Sequence, residues 1–264
     1  MKQRSTYTAL LAIALCALFC CAAILSAYRI GGIAHMNGNY EAARWALRVA
    51  ATTGNAKAQN NLAGLYAEGL GGERNDVLAA KWYQRAADQG VTQAKFNLSN
   101  FYEEGKGVPR DTRKAVALLE SAASDGDIDA AFNLGNIYST GRDDLPRDVP
   151  SGIAWYRKAA DRGFASAQYN LGGIFAQGVH VQRDFGEAGK WFTMAAQQGH
   201  AKAQLDLGTM LAYGLGFQRD VPQGLHWLRK AAGKSPTSVE ARERIEAICS
   251  GASNLQDSAP CSIP

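Results

Sequence analysis

Two helical patterns of apolar positions alternate along residues 56–236. In the first pattern, Ala, Leu and an aromatic residue or Leu are spaced four apart, as in Ala58, Leu62 and Tyr66, which places them on one side of a helix. A Gly such as Gly69 follows and ends that helix. The second pattern opens on Asn or Asp, which are preferred N-caps, and continues with a small residue, an aromatic or Leu pair and Ala-Ala. No segment alternates polar and apolar residues at strand spacing, so we expect an all-α protein.

The two patterns together form a repeat of about 36 residues. Its invariant Leu occurs at positions 62, 98, 134, 171 and 207, which are 36, 36, 37 and 36 residues apart. This spacing predicts five helix-turn-helix repeats with the bounds 56–91, 92–127, 128–164, 165–200 and 201–236. One helical pair cannot bury its apolar side alone, so we expect the repeats to stack into a right-handed α-solenoid with an extended concave surface.

The ends of the array are predicted to be capping half-repeats. Residues 39–55 have the pattern of a lone second helix, with Asn39 at its N-cap. Residues 237–250 have the pattern of a lone first helix, and a terminal helix needs a polar outer face. Four charged side chains are expected to supply that face: Arg242, Glu243, Arg244 and Glu246. Residues 251–264 are predicted to be a flexible tail.

The N-terminal segment, residues 1–29, has the pattern of a membrane-targeting sequence. Thr8–Ala27 is an uncharged run, preceded by Lys2 and Arg4 and closed by Arg29. Its length favours a retained signal-anchor that crosses the inner membrane once. Ser26 and Ala27 leave open a cleaved signal peptide and a periplasmic or secreted protein. Both interpretations place the repeats across the membrane, in the periplasm of a Gram-negative bacterium, after a linker over 30–38.

Composition and charge narrow the function classes. Hydrophobic residues make up 47% and charged residues 20% of the chain, which excludes a disordered protein. The formal net charge is +4, and three of the basic residues lie in the first 29 positions. The remainder is therefore close to neutral and has no basic stripe, so we expect no nucleic-acid partner.

Side chains of the first helices are the candidates for partner binding. Two positions after the repeated Ala lies a column of mostly large residues, roughly 160° from the Ala and Leu stripe. Four positions farther on lies a column of small or amide residues. If the first helices line the concave surface, the aromatic side chains are anchors and the polar ones bind a peptide. The alternative, which the sequence leaves open, is that the rings only pack neighbouring helices together. The candidate residues are Phe96, Asn100, Glu103, Phe132, Asn136 and Tyr169.

Signals for catalysis, metals and cofactors are weak. The four histidines, at positions 35, 180, 200 and 226, have no second His or Cys at ligand spacing, so we expect no metal. There is no phosphate-binding loop or nucleophile elbow, and we expect no cofactor. Cys249 and Cys261 are the two cysteines beyond the apolar run, and an even pair outside the cytoplasm favours a disulfide over two free thiols.

The repeat resembles the Sel-one-like repeat, a relative of the tetratricopeptide repeat. The resemblance rests on Gly107-Val108 and Asp111…Lys114-Ala115 in the second copy, and on the run Trp155–Ala160 in the third, and it covers about 180 residues. It implies a non-enzymatic scaffold, adaptor or regulator that binds another envelope protein or a peptide segment. A cysteine-rich branch of this family gives the alternative, a penicillin-binding or weakly β-lactam-hydrolysing enzyme. That branch carries a Cys pair in each repeat, which this chain lacks.

The family pattern also bears on two further columns. Asn61, Asn97, Asn133, Asn170 and Asp206 directly precede the repeated Leu. Because the family pattern itself has Asn there, we expect structural hydrogen bonds rather than a ligand site. By the same argument, the tryptophans of the second helices are expected to lie in the core: Trp82, Trp155, Trp191 and Trp227.

Overall fold

The computed structural model describes residues 25–142, 144–178, 180–233 and 237–252. These residues form helices joined by short loops, and the described part of the chain contains no strand, only an isolated bridge between Arg142 and Leu145. The chain divides into two compact units, unit 1 (Met1–Asp127) and unit 2 (Ile128–Pro264). The expected all-α architecture of helix-turn-helix repeats is therefore confirmed.

The described part of unit 1, from residue 25 onward, contains two complete repeats, α3–α4 and α5–α6, and two preceding helices. Within each repeat the first helix packs against the second, and α4 packs against α5 of the next repeat. The expected N-terminal capping helix is α2. The helices of unit 1 are α1 (25–36), α2 (Tyr40–Thr52), α3 (Ala56–Glu68), α4 (Asp76–Asp88), α5 (Thr92–Glu104) and α6 (Thr112–Ser124).

Unit 2 contains three repeats and the C-terminal capping helix. Its repeats are the pairs α7–α8, α9–α10 and α11–α12, and α13 packs against α12. We expected the capping helix to end at residue 250, and α13 continues to Ala252. The helices of unit 2 are α7 (Ile128–Thr140), α8 (Val149–Ala160), α9 (Ala165–Gln177), α10 (Phe185–Gln197), α11 (Ala201–Tyr213), α12 (Val221–Ala232) and α13 (Ser238–Ala252).

Helix ends follow the chemistry that the sequence indicated. All second helices start at an Asn or Asp whose side chain accepts the backbone N–H three residues on, as Asp184 does from Glu187. Asn39 caps α2 in the same way. First helices end at a Gly in the left-handed region, such as Gly69 with φ 72°. Because only Gly adopts this conformation without strain, each repeat reverses direction at a fixed residue.

The linker expected over 30–38 is replaced by a helix. Residues 25–36 form α1, and only residues 37–39 connect it to α2. The cause is packing: Ala27, Tyr28 and Ala34 contact the core of unit 1, and Gly31 lies directly against Leu47. The chain therefore passes from the end of the uncharged N-terminal run into the folded unit without an extended segment between them.

Most of the predicted anchor lies outside the described residues. Among the helices that the structure describes, none is both long and apolar enough to cross a membrane. The predicted tail is outside them from residue 253 onward, and so is Cys261. Cys249, near the end of α13, is disulfide-bonded. Its pairing with Cys261 stays a prediction.

The second helices bury the residue after each Trp rather than the Trp itself. Tyr83 and Phe192 are buried, whereas all four tryptophans are only half-buried. The expectation that these tryptophans are core residues is therefore wrong. Three of these rings contact a cation: the Lys158 ammonium lies 3.7 Å from the ring centre of Trp155, and Trp82 and Trp227 have similar partners. The indole N–H of Trp191 donates to Glu187.

Buried side-chain amides join three consecutive helices in both units. The Nε2 of Gln59 donates to the carbonyl of Ala51 at the end of α2, and its Oε1 accepts from Gln89 after α4. Gln168 makes the same two contacts with Ala160 and Gln198 in unit 2. We call this arrangement the amide clamp. It adds a second donor to a carbonyl in the last turn of the preceding helix, which also accepts a backbone N–H from the following turn.

The second repeat has a charged version of the amide clamp. The positions of Gln59 and Gln89 are occupied there by Lys95 and Asp125, whose Nζ and Oδ2 lie 2.6 Å apart. The Lys95 ammonium lowers the pKa of the Asp125 carboxyl by hydrogen bonding to it. Both positions differ from those of the first repeat, and the two side chains still join the first helix of the repeat to the end of its second helix.

Candidate functional site

The candidate residues of unit 1 lie on α5. Phe96, Asn100 and Glu103 are all half-buried, along the side of α5 that does not carry the buried residues Ala94 and Leu98. The hydroxyl of Ser99 donates to the carbonyl of Phe96 at 2.6 Å. The structure thus brings these three half-buried candidates together on one side of α5, and their role in partner binding stays a prediction.

The candidate aromatic residues of unit 2 each contact two other rings. The ring centre of Phe132 on α7 lies 5.8 Å from that of Tyr156 and 5.0 Å from that of Phe164. Tyr169 on α9 lies 5.7 Å from Phe192 and 4.7 Å from His200. In both cases the partners come from the second helix of the same repeat and from the residue before the next first helix. These contacts support the packing alternative, and a binding role for the six candidates stays a prediction.

Asn136 lies at the centre of a hydrogen-bonded group. Its Oδ1 accepts from the Tyr156 hydroxyl at 2.6 Å and from Nδ2 of Asn170 at 3.4 Å. Burial raises the pKa of Tyr156, and the Asn170 side chain opposes that rise by hydrogen bonding. Asn170 belongs to the Asn column that precedes the repeated Leu, so these bonds support the structural interpretation of that column. In the second repeat, Leu119 replaces the tyrosine, and Asn100 has no such hydroxyl opposite it.

A cleft of about 450 Å³ opens in unit 1 beside the first repeat. It is bounded by α1, α3 and α5, and the Tyr83 side chain of α4 contributes to its floor. We name it the Gly64 cleft. It is lined by Gly32, His35, Met36, Leu47, Asn60, Asn61, Gly64, Leu65, Glu68, Tyr83 and Asn97.

The Gly64 cleft exists because the first repeat has smaller side chains than the second repeat at two equivalent positions. Asn60 and Gly64 occupy the positions at which the second repeat has Phe96 and Asn100. A Cβ on Gly64 would meet only the Tyr83 hydroxyl oxygen, at the ordinary distance of 3.6 Å, and a Cβ on Gly32 would meet nothing within 4 Å. The side chains that would fill this space are therefore absent.

A smaller cleft of about 240 Å³ lies in unit 2 beside the fourth repeat. It is opened in the same way by Gly173, whose Cβ would also meet nothing within 4 Å. We name it the Gly173 cleft. It is lined by Tyr169, Gly173, Ala176, Gln177, Phe185, Phe192, Asp206, Thr209, Met210, Leu215 and Arg244.

Charges inside the Gly173 cleft are paired with one another. Arg244 of α13 donates to Asp206 at 3.4 Å, to the Thr209 hydroxyl at 2.6 Å and to Glu240 at 2.6 Å. Burial raises the pKa of Asp206, although Arg244 opposes that rise. Burial and the neighbouring Asp206 raise the pKa of Tyr169 to about 12, so its hydroxyl stays neutral. The expectation that Arg244 faces outward is wrong, because it joins α13 to α11.

At other glycines of the first helices, a neighbouring aromatic ring leaves no room for a Cβ atom. Gly64 and Gly173 have no such close neighbour. A Cβ on Gly135 would lie 2.4 Å from the Tyr156 ring, and one on Gly172 would lie 2.6 Å from the Phe192 ring. Gly in a helix interior is about 1 kcal/mol less favourable than Ala. At Gly64 and Gly173, no intramolecular contact explains that loss of stability. The repeat alignment places Gly64 and Gly173 at the same repeat position, but it does not show at which copies another side chain packs against that position.

The comparisons with known proteins concern the repeats that build these clefts. A family model described as Sel1 repeat matches residues 56–91, 92–127, 128–164, 165–200 and 201–235. The chain belongs to the Sel1 repeat family. The matched segments coincide with the repeats defined above, except that the last ends one residue earlier. The Gly64 cleft therefore belongs to the first Sel1 repeat and the Gly173 cleft to the fourth.

Solved structures of Sel1 repeat proteins are similar to this chain. A Sel1 repeat protein from Oxalobacter formigenes is 30% identical, with a TM-score of 0.70 over 88% of this chain and 94% of that one. A protective antigen of uropathogenic Escherichia coli is 28% identical, with a TM-score of 0.62 over 89% of this chain and 58% of that one. No curated protein matches the chain.

Sel1 repeat proteins are generally protein-interaction scaffolds, and their fold is typically non-catalytic. The described residues of this chain contain no group of three or more His, Cys, Asp or Glu side chains placed to hold a metal ion. The Gly64 and Gly173 clefts are two of the concave features of this chain that a ligand can use.

Proposed function

We propose that this protein is a non-enzymatic interaction scaffold of the bacterial envelope, which binds a partner protein or peptide along its first helices. The observation that carries the proposal is the pair of clefts at Gly64 and Gly173. Both are open on the same side of a first helix, and both are kept open by a Gly that no internal contact requires. Concave sites with a few polar groups are where proteins bind ligands.

Two features support the envelope part of the proposal. The uncharged run Thr8–Ala27 follows two basic residues, which favours a single membrane crossing with the repeats outside the cytoplasm. The end of this run belongs to α1, whose uncovered side carries Leu25, Ile30 and Ile33, each more than half exposed. Apolar side chains at that place suit a helix that leaves a bilayer directly. A periplasmic reporter fused after Pro264 should be active, and activity of a cytoplasmic reporter alone would contradict the orientation.

In-cell photocrosslinking tests the scaffold function. A photoreactive residue at Asn61 or Gln177, which line the two clefts and are exposed, should form a defined adduct with another protein. The matched controls are the exposed second-helix positions Lys81 and Lys190, which should not form that adduct. Equal adducts from all four positions, or none from either cleft, would refute binding along the first helices.

A further inference from the structure

The Gly64 cleft has unused hydrogen-bonding capacity. The Oδ1 of Asn60 is buried, and no donor reaches it among the residues that the structure describes. Its Nδ2 donates to Oδ1 of Asn61 at 3.2 Å, so within this amide only the Oδ1 acceptor lacks a hydrogen-bond partner. A buried acceptor without a donor is unfavourable, and a rotation of the partly buried Asn60 side chain toward the cleft lets a ligand that supplies an N–H remove that loss. The main chain of an extended peptide presents such groups at regular intervals.

The lining of the Gly64 cleft combines this polar rim with an apolar floor. Leu47 and Leu65 are almost fully buried beneath it, and Met36 is 78% exposed at its edge. The amide of Asn97 completes the rim, and the buried Tyr83 side chain adds its hydroxyl to the floor. This combination suits a segment that hydrogen-bonds through its main chain and places an aliphatic stem against the floor.

The lining of the Gly64 cleft contains a negatively charged side chain and no Lys or Arg. This acidic residue is Glu68. No ion pair engages Glu68 within the described residues. Its negative potential reaches the floor, because Glu68 adds to the effect of burial in raising the pKa of Tyr83 to about 12. In the Gly173 cleft, by contrast, Arg244 already pairs with the carboxylates.

We propose that the Gly64 cleft binds an extended peptide segment of a partner that carries a Lys or Arg. The main chain of the peptide pairs with the amide of Asn60, and its cation lies beside Glu68. The aliphatic part of that basic side chain packs on Leu65 and Met36. This assignment rests on the proposed scaffold function and adds to it the place of binding and the class of partner.

Charge-sorted peptides test the assignment on the full chain in detergent. The probes are fluorescein-labelled pools of nine-residue peptides with random flanks and a central Lys, norleucine or Glu. Fluorescence anisotropy should show the tightest binding for the Lys pool. Gly64→Leu fills the cleft and should weaken that binding by about tenfold or more, and Glu68→Gln should reduce the preference for Lys by about threefold. Ala117→Leu adds the same bulk at an exposed position of α6 outside both clefts; it is the matched control and should leave both unchanged.

A second filling variant keeps the test independent of folding. Gly32→Leu adds a side chain from α1, where a Cβ meets nothing within 4 Å, and it should also weaken binding. The helical circular dichroism and melting temperature of each variant identify those that fold normally. Equal affinity for the Lys and Glu pools, or unchanged binding by both folded filling variants, would overturn the assignment. The scaffold function would still stand if the crosslinks from Asn61 or Gln177 persist.

Discussion

Gly172 and Gly173 are adjacent on α9, and their surroundings differ completely. A Cβ on Gly172 would lie 2.6 Å from the Phe192 ring, whereas a Cβ on Gly173 would meet nothing within 4 Å. Unit 1 has the same contrast on α3, where Ala63 is fully buried and the neighbouring Gly64 borders a cleft. The first helices thus have a packed side, on which residue size is set by a ring of the second helix, and an open side that has no such neighbour. Glycine serves packing on one side and leaves room for a ligand on the other.

The largest effect is expected from adding a methyl group to the packed side. Gly172→Ala places a Cβ within 2.6 Å of the Phe192 ring and should lower the free energy of unfolding by about 2 kcal/mol, because an overpacked core forces its neighbours to shift. Urea denaturation of the full chain measures the change. Gly173→Ala is the control, and equal destabilisation by both variants would remove the distinction between the two sides.

The next effect is expected from the buried amide of the packed side. Gln168→Ala leaves the amide of Gln198 without its partner and removes one of two donors to the Ala160 carbonyl, which keeps only the Gly163 N–H; the free energy of unfolding should fall by about 1–2 kcal/mol. Asn61→Ala, at an exposed position on the open side, should change it by less than about 0.5 kcal/mol. Thermal melts compare the two variants. A loss at Asn61 as large as that at Gln168 would mean that the open side also stabilises the fold.

A smaller effect, of opposite sign, is expected on the open side. Gly64→Ala and Gly173→Ala should each raise the free energy of unfolding by about 0.5–1 kcal/mol, because Ala is the better helix former and a Cβ has room at both positions. Chemical denaturation measures the increase. Destabilisation by either variant would show that the glycine has a structural role that the packing does not reveal.

The smallest effect concerns Asp206, which borders the Gly173 cleft. Its pKa is raised in the folded protein by burial, so the folded state holds the proton more tightly than the unfolded chain. The stability that this group contributes is present at pH values below the unfolded pKa and is lost as pH rises through the folded one. Asp206→Asn, which restores the residue of the other four repeats, should therefore gain in melting temperature relative to the parent between pH 3 and pH 7. The opposite trend would mean that the Arg244 ion pair outweighs burial.

Repeat spacing, helix order and helix ends could be predicted from the sequence because they depend on local chemistry. The Asp or Asn before each second helix and the Gly after each first helix act through bonds to residues a few positions away. The same local patterns could not identify α1, because its helix is held by contacts with Leu47 and the core of unit 1. A uniform apolar pattern also could not separate the half-buried Trp155 from the buried Tyr156 beside it.

Of the six residues that the sequence predicted to bind a partner, only Tyr169 lines one of the two named clefts, and a binding role for all six stays a prediction. The columns that line the clefts could be found from the repeat alignment, and they include Tyr169, which lies in the Gly173 cleft. The contacts of Phe132 and Asn136 could not, because they involve Tyr156, Phe164 and Asn170 on other elements. The clefts themselves arise where a column holds Gly. Recognising them requires knowing that no neighbouring side chain fills the space.

The amide clamp has a consequence for how such an array changes in length. Its two matched side chains, Gln59 with Gln89 or Gln168 with Gln198, belong to one repeat, and its contact with the preceding helix uses only a backbone carbonyl. The amide clamp therefore does not depend on which side chains the preceding repeat carries. Whole copies can be duplicated, deleted or exchanged during evolution without a compensating substitution next door, provided that both partners travel together, as Lys95 and Asp125 do.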